Sequence, residues 1–237
     1  MRLVDDKCTI SVDSSGELLH KRGYRLAVAK APLRETLAAA LLMASGWDQS
    51  AALLDPFCGS GTIPIEAALM SLGIPPGINR RFAFMDWPGF DPKMWADLRS
   101  ESASIHPSSF ILNPSILASD RDAEAIKSAH ANAERAGVEE VIEFKCQAVS
   151  AITPPVGLGW VVTNPPYGVR VSEGKDLRNL YAQFGNVLRR QCPGWNVALL
   201  CNDPVLLGQM QMELYTSLGF INGGIGVRVA RGIVPAI

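Results

Sequence analysis

From Ala31 onward the apolar positions alternate between short continuous runs and stretches with helical spacing, the habit of a parallel sheet joined by crossover helices. Leu33, Leu37, Leu41 and Ala44 share a helical face that stops at Gly46, and Ala51-Ala52-Leu53-Leu54 reads as a buried strand ending at Asp55. A second helix runs from Thr62 to about Ser71, with Pro64 tolerated in its first turn. The rhythm then fails until about Ser108, where Pro75-Pro76-Gly77, Trp87, Pro88, Gly89 and Trp95 read as an irregular insertion whose aromatics need somewhere to be buried. Order resumes with a strand at Ile116-Leu117-Ala118, a helix carrying Ile126, Ala129 and Ala133 that ends at Gly137, and strands at Val141 to Lys145 and Trp160 to Thr163. A helix with Leu177, Leu180, Phe184 and Leu188 on one face follows, then a strand at Trp195 to Leu200 and a helix started by Asp203-Pro204. A hairpin over Phe220 to Ala230, turning at Asn222-Gly223-Gly224, closes the pattern. The class is α/β, with residues 1–30 as an extension, 31–237 as one domain and an insertion at about 72–108.

Composition narrows the function classes. A chain of 237 residues that is 48% hydrophobic and 19% charged is too apolar to be disordered and long enough for one sizeable core. Twenty-two basic against 23 acidic residues give a net charge of −1, so there is no overall field to draw the chain to DNA or RNA, and any such contact is local. Five cysteines without a C-x-x-C pair and three scattered histidines argue against a zinc site or disulfide framework. The start has no apolar leader-like region and no apolar run spans a bilayer, so no membrane is expected. A reducing, cytoplasmic compartment is the expectation, with an organelle after processing as the alternative.

Chemistry concentrates in three places. In Asp55-Pro56-Phe57-Cys58-Gly59-Ser60-Gly61-Thr62 an acid ends a strand and glycines let backbone approach a ligand before a helix N-terminus, a turn suited to a nucleotide-like cofactor. It is not a Walker loop, since no Gly-Lys-Ser/Thr follows, and the dinucleotide fingerprint fails at Pro64; a tight turn without a ligand is the bland alternative. Asp120 ends the next strand, where a carboxylate can accept both hydroxyls of a ribose; Asp122 competes for that role, and either residue can instead be a helix N-cap. Asn164-Pro165-Pro166-Tyr167 is the most specific feature. Its prolines fix the backbone, so the Asn164 side-chain oxygen and the Pro165 carbonyl can both accept from one planar amine, while Tyr167 offers a ring face for a base.

Together the first and third motifs resemble the class I S-adenosylmethionine-dependent methyltransferases that modify exocyclic base amines. Within that class, Ser11 to Arg25 with its His20-Lys21-Arg22-Gly23-Tyr24-Arg25 stretch, Ala31-Pro32-Leu33-Arg34-Glu35, and Pro76 to Phe84 resemble the THUMP-associated RNA guanine-N2 methyltransferases, such as the bacterial 23S rRNA enzymes. The resemblance runs from about Cys8 to the end. It implies a Rossmann-like, mostly parallel seven-stranded sheet with helices on both faces, and methyl transfer from S-adenosyl-L-methionine to guanine N2 of rRNA or tRNA.

By that resemblance Asn164, Pro165, Pro166 and Tyr167 form the catalytic set. The cofactor falls to Pro32, Leu33, Asp55, Phe57, Gly59, Gly61, Thr62, Asp120, Arg121, Gln147, Ala148 and Asn164, with Gln147 standing where many relatives carry an Asp that holds the adenine amine. Lys21, Arg22, Arg25 and Arg34 form the conspicuous basic cluster, joined by Arg80 and Arg81 interleaved with Phe82 and Phe84; these are expected either to meet RNA or to be a solvated face and insertion packing. No metal is expected. Relatives usually carry a THUMP RNA-binding domain upstream, so the expectation is a stand-alone catalytic domain or a fragment of a longer protein, with recognition supplied by such a domain or a partner. Adenine-N6 methylation of DNA or RNA is the alternative reaction, and a catalytically silent RNA-binding or assembly subunit the alternative class. Cysteine-based cytosine C5 chemistry is disfavoured, because Cys58 lies in the cofactor turn and Cys192 before another strand.

Overall fold

A computed structural model describes residues 2–26, 33–104, 115–167 and 176–236. A two-stranded hairpin, β1 (Arg2–Val4) and β2 (Lys7–Thr9), precedes the domain proper. There follow α1 (Glu35–Ser45), β3 (Ala52–Asp55), α2 (Thr62–Ser71), α3 (Pro92–Ser104), β4 (Ile116–Asp120), α4 (Ala123–Ala136), β5 (Ile142–Cys146) and β6 (Gly159–Thr163). The last elements are α5 (Arg178–Gln191), β7 (Asn196–Cys201), α6 (Pro204–Gln209), β8 (Tyr215–Asn222) and β9 (Ile225–Ile233).

The main sheet has seven strands in the order β5-β4-β3-β6-β7-β9-β8. Strands β3 to β7 run parallel, whereas β9 is antiparallel to both β7 and β8. Consecutive residues are buried along β4 (Ile116, Leu117, Ala118, Ser119) and β7 (Val197 to Cys201), which requires cover on both faces of the sheet and so explains why these strands read as unbroken apolar runs. The order reverses between β3 and β6. That switch point opens a crevice at the carboxyl ends of those two strands, and Asp55 and Asn164 stand there.

Helix ends follow the local chemistry. Gly46 and Gly137 close α1 and α4 in left-handed geometry, and Asp122 and Asp203 cap α4 and α6 through their side chains. Several expectations need correction. The stretch read as an irregular insertion contains α3, which is specified locally: the Asp91 carboxylate accepts from the Lys93 and Met94 amides (2.8 and 3.2 Å), Pro92 takes the first turn, and Lys93 pairs with Asp97. Its largely polar face carries no core stripe, so hydrophobic rhythm could not reveal it. The insertion aromatics form a small cluster of their own, with Trp95 edge-on to Phe82 and Phe84, and Trp87 stays exposed. On α5 the buried face centres on Tyr181, Phe184, Gly185 and Leu188, with Leu177 and Leu180 at its margin. The terminal hairpin is longer than the expected Phe220 to Ala230, and it turns at Gly223-Gly224 with both glycines at positive φ. No described helix is long and apolar enough to cross a membrane.

Candidate active site

Asp55 closes β3 and is 1% exposed. Its Oδ1 accepts from the Thr163 hydroxyl at 2.6 Å and from the Phe57 amide at 3.2 Å, which ties the end of β3 to the end of β6. The other oxygen, Oδ2, is buried without a hydrogen-bond partner. Burial dominates its titration and pushes the carboxyl up to about 7, against the two hydrogen bonds that favour ionisation.

The turn after Asp55 is pinned from β4. The Cys58 amide donates to the Ser119 carbonyl (3.0 Å) and the Gly59 amide to Asp120 Oδ2 (3.0 Å). The two glycines have different duties. Gly59 has φ +53° and open space where a side chain would point, so this backbone is free for a ligand to approach. Gly61 has φ +85°, and a Cβ there would lie 3.0 Å from that of Ala129, so its smallness also serves the packing of α2 on α4. Thr62 begins α2 and is buried. The Ser60 carbonyl accepts from Asn132 Nδ2 at 3.0 Å, a brace from α4 that sequence reasoning missed.

Asp120 uses one oxygen for Gly59 and the other for the Asp122 amide at 3.0 Å. Asp122 faces α4 and accepts from Glu124 and Ala125, so Asp122 is the cap of that helix, while Asp120 ends β4 beside the turn. Gln147 lies beside it, its amide donating to the Asp120 carbonyl at 2.9 Å, and Arg121 and Ala148 are exposed at the same edge. Phe57 meets Phe184 edge-on at 5.2 Å. Leu33 is a core residue whose carbonyl accepts from Arg25 (2.6 Å); Pro32 lies outside the described residues.

Across the switch point, Asn164 Oδ1 is buried and has no partner. Pro165 is buried, and the Pro166 carbonyl accepts from the Tyr181 hydroxyl at 3.2 Å. The Tyr167 ring is 5% exposed, and its hydroxyl accepts from Asn222 Nδ2 at 2.9 Å. This corrects the expectation of an open ring face for stacking: the ring is packed into the core. Motif reading does not reach Tyr181, Asn222 and Asn132, because each acts on a residue far away in sequence. Thr163 also acts at a distance, on Asp55, but as a polar residue closing an apolar strand it leaves a signal in the sequence.

The basic cluster is largely spent inside the fold. Buried Arg22 pairs with Glu66 at 3.0 Å, and Arg25 pairs with Glu35 at 3.0 Å. Burial raises the Glu66 carboxyl to about 7, with Arg22 and the Tyr24 hydroxyl (2.8 Å) opposing the rise. Arg80 donates to the Ser15 and Leu18 carbonyls, both at 3.3 Å, and lies 4.8 Å over Phe82. Those three arginines are therefore corrected from phosphate ligands to structural clamps. Lys21 pairs with exposed Glu17, Arg81 with exposed Asp86, and Arg34 is exposed. The thiols of Cys58 and Cys192 are pushed up by burial, the latter to about 12, which leaves neither nucleophilic at neutral pH. Among the described residues no His, Cys, Asp and Glu group is arranged to hold a metal.

Residues 22–230 match the family described as UPF0020, RMKL-like, methyltransferase domain. The ribosomal RNA large subunit methyltransferase K/L of Shewanella baltica is 42% identical over 221 residues, which cover 92% of this chain and 31% of that protein. The chain thus spans about a third of the length of the curated relatives it matches. Among solved structures, SMU.472, described as a methyltransferase and complexed with SAH, superposes with a TM-score of 0.84 at 32% identity over 92% of this chain and 56% of that one. A protein from Listeria monocytogenes described as an N6-adenine-specific DNA methylase gives a TM-score of 0.80 at 36% identity, with 92% and 56% covered.

Proposed function

The chain belongs to the RMKL-like methyltransferase domain family, and from that premise we propose that it methylates an exocyclic base amine, guanine N2 of ribosomal RNA, with S-adenosylmethionine as donor. One observation carries the reading: Asn164 presents a buried acceptor without a partner at the switch point, and the turn after the neighbouring strand leaves the backbone of Gly59 open. Both features fit a two-ligand crevice. An unsatisfied buried oxygen is costly unless something arrives to donate to it.

The donor supplies an electrophilic methyl group on a sulfonium. Every other contribution comes from this chain. Gly59 leaves room at the turn, Asp120 holds that turn and offers its remaining lone pairs to ribose hydroxyls, and Gln147 borders the adenine. Asp55 stands buried between the two halves of the crevice with one free oxygen. A base amine is a poor nucleophile because its lone pair is delocalised into the ring. Accepting hydrogen bonds from its two N–H groups at Asn164 Oδ1 and the Pro165 carbonyl turns that lone pair outward and stabilises the positive charge that develops on nitrogen. The methylated, cationic nitrogen then loses one proton to water, so no strong base is required.

Adenine N6 is the second reading, favoured by the name of the Listeria structure; RNA is preferred over DNA because the more similar relative is named for ribosomal RNA, and guanine N2 rests on the resemblance of the Ser11 to Arg25 and Pro76 to Phe84 stretches. Labelled methyl transfer to ribosomal RNA followed by nucleoside analysis decides: label in N2-methylguanosine is expected, and label in N6-methyladenosine replaces the first reading with the second. We place the unit's start near Arg22 rather than at residue 31, since Tyr24 is in the core and Arg22 and Arg25 clamp α2 and α1. Free cysteines throughout support a reducing, cytoplasmic setting. An upstream THUMP-like module or a partner subunit would supply RNA recognition.

A further inference from the structure

The terminal hairpin overhangs the site. Cys201, the last residue of β7, pairs with Arg228 of β9, and Arg228 pairs with Gly219 of β8, so Phe220 to Val227 project past the end of β7. Because β9 runs antiparallel to both its neighbours, β8 runs parallel to β7 and delivers its carboxyl end, Asn222, to the same sheet edge as Asp55 and Asn164. There Asn222 Nδ2 meets the Tyr167 hydroxyl at 2.9 Å. From the opposite side fully buried Tyr181 of α5 gives its hydroxyl to the Pro166 carbonyl at 3.2 Å. The two residues that follow Asn164-Pro165 are thereby each held by one hydrogen bond from a different element.

We propose that Asn222 and Tyr181 are positioning residues for the methyl-accepting motif: Asn222 fixes Tyr167, Tyr181 fixes Pro166, and together they keep Asn164 Oδ1 and the Pro165 carbonyl aimed at one amine. The inference rests on the reading of Asn164 as the amine acceptor. Asn222 is not required by the hairpin itself, because the turn's positive φ values fall on Gly223 and Gly224. A side chain that lost the bond to Tyr167 would leave the turn intact and the motif loose, and small misplacements at a reacting centre are expensive in rate.

The test uses Asn222→Leu, Asn222→Asp and Tyr181→Phe in the full chain, with three readouts. These are the single-turnover methyl-transfer rate at saturating donor and RNA, the calorimetric affinity for S-adenosylhomocysteine, and NMR hydrogen exchange of the Tyr167 amide without ligand. Asn222→Leu is expected to slow transfer by about tenfold or more, to leave product affinity within about twofold, and to speed Tyr167 exchange by about fivefold, the equivalent of one net hydrogen bond. Tyr181→Phe should act in the same direction. Asn222→Asp should restore rate and protection, since its carboxylate accepts from the Tyr167 hydroxyl. Unchanged rate and exchange in Asn222→Leu overturn the proposal. So does a rate loss that follows product affinity and is not rescued by Asn222→Asp, because that is the signature of general destabilisation. If the wild type transfers no methyl group at all, the base-amine reading fails, and the exchange measurement alone decides whether Asn222 holds Tyr167.

Discussion

Two of the buried oxygens without partners, Asp55 Oδ2 and Asn164 Oδ1, lie at the carboxyl ends of adjacent strands, and they behave differently because only one carries a charge. Asn164 is neutral, so its unpaired oxygen costs less than a buried charge and is relieved once a donor arrives. Replacing it by Ala is expected to lower methyl transfer by on the order of 10²-fold, the usual loss for one preorganised polar contact at a reacting centre. S-adenosylhomocysteine affinity, read by calorimetry, should stay near wild type. Asp55 is a charge problem. Its carboxyl titrates near 7 in the fold against an ordinary 3.8, chiefly because burial disfavours the anion. Below pH 3.8 the folded and unfolded chains are both protonated and no penalty exists. As pH rises the unfolded chain ionises first, so folding stability falls across the window up to about 7 and levels off above it. Asp55→Asn, which keeps an acceptor for Thr163 and Phe57, is therefore expected to be more stable than wild type at pH 8 by on the order of 4 kcal/mol. That advantage should shrink steadily toward pH 4 in paired thermal melts, and a constant gap would show that Asp55 is already ionised in the fold across that range.

At the scale of elements, the turn between β3 and α2 divides its two glycines between ligand and packing, and substitution separates the duties. Gly61→Ala forces a Cβ against Ala129 and strains a residue at φ +85°, so a stability loss of about 1–3 kcal/mol is expected by denaturant titration. Gly59→Ala meets no protein atom, and its strain is expected to cost roughly 1 kcal/mol. Its new methyl group enters the space assigned to the donor, so it should lose about tenfold or more in product affinity. Equal product affinity in Gly59→Ala and wild type would place the donor elsewhere. Sequence alone reached this turn, the succession of most core strands and helices along the chain and most helix ends, because each depends on residues adjacent in the chain: an acid closing a strand, glycines in the turn, Gly137 ending α4. It missed α3, whose stabilisation lies in a cap and an i,i+4 pair rather than in a buried stripe. It also treated Arg22 as available, because a sequence displays a charge without its partner, and Glu66 lies far along the chain yet 3.0 Å away in space. Tyr167 misled for the same reason, since its hydroxyl's companion Asn222 arrives only after the sheet has closed.

For the molecule as a whole, these internal pairings limit what charge it can offer to the proposed RNA substrate. A net charge of −1 supplies no general attraction, and Arg22, Arg25 and Arg80 are committed to Glu66, Glu35 and backbone carbonyls. Of the six cations singled out from sequence, that leaves Lys21, Arg34 and Arg81. Two of these have exposed acidic neighbours that a phosphate could displace at little cost, since surface pairs are weak. Three neutralised phosphates give a salt slope of about −2 to −3, so affinity for RNA should fall by roughly 20–40-fold between 50 and 200 mM salt and depend little on sequence. Joining the proposed upstream THUMP-like module to this chain on one polypeptide is expected to tighten RNA binding and add selectivity, because a second RNA-binding module raises the effective concentration of the first. Filter binding across a salt series on the chain with and without that module checks this, and Arg22→Met serves as an internal control that should leave the slope unchanged even though it destabilises the fold. A slope of about −6 or steeper for this chain, or tight sequence-selective binding by it alone, would mean that further cations take part, with the insertion from Arg80 to Trp95 the first region to test.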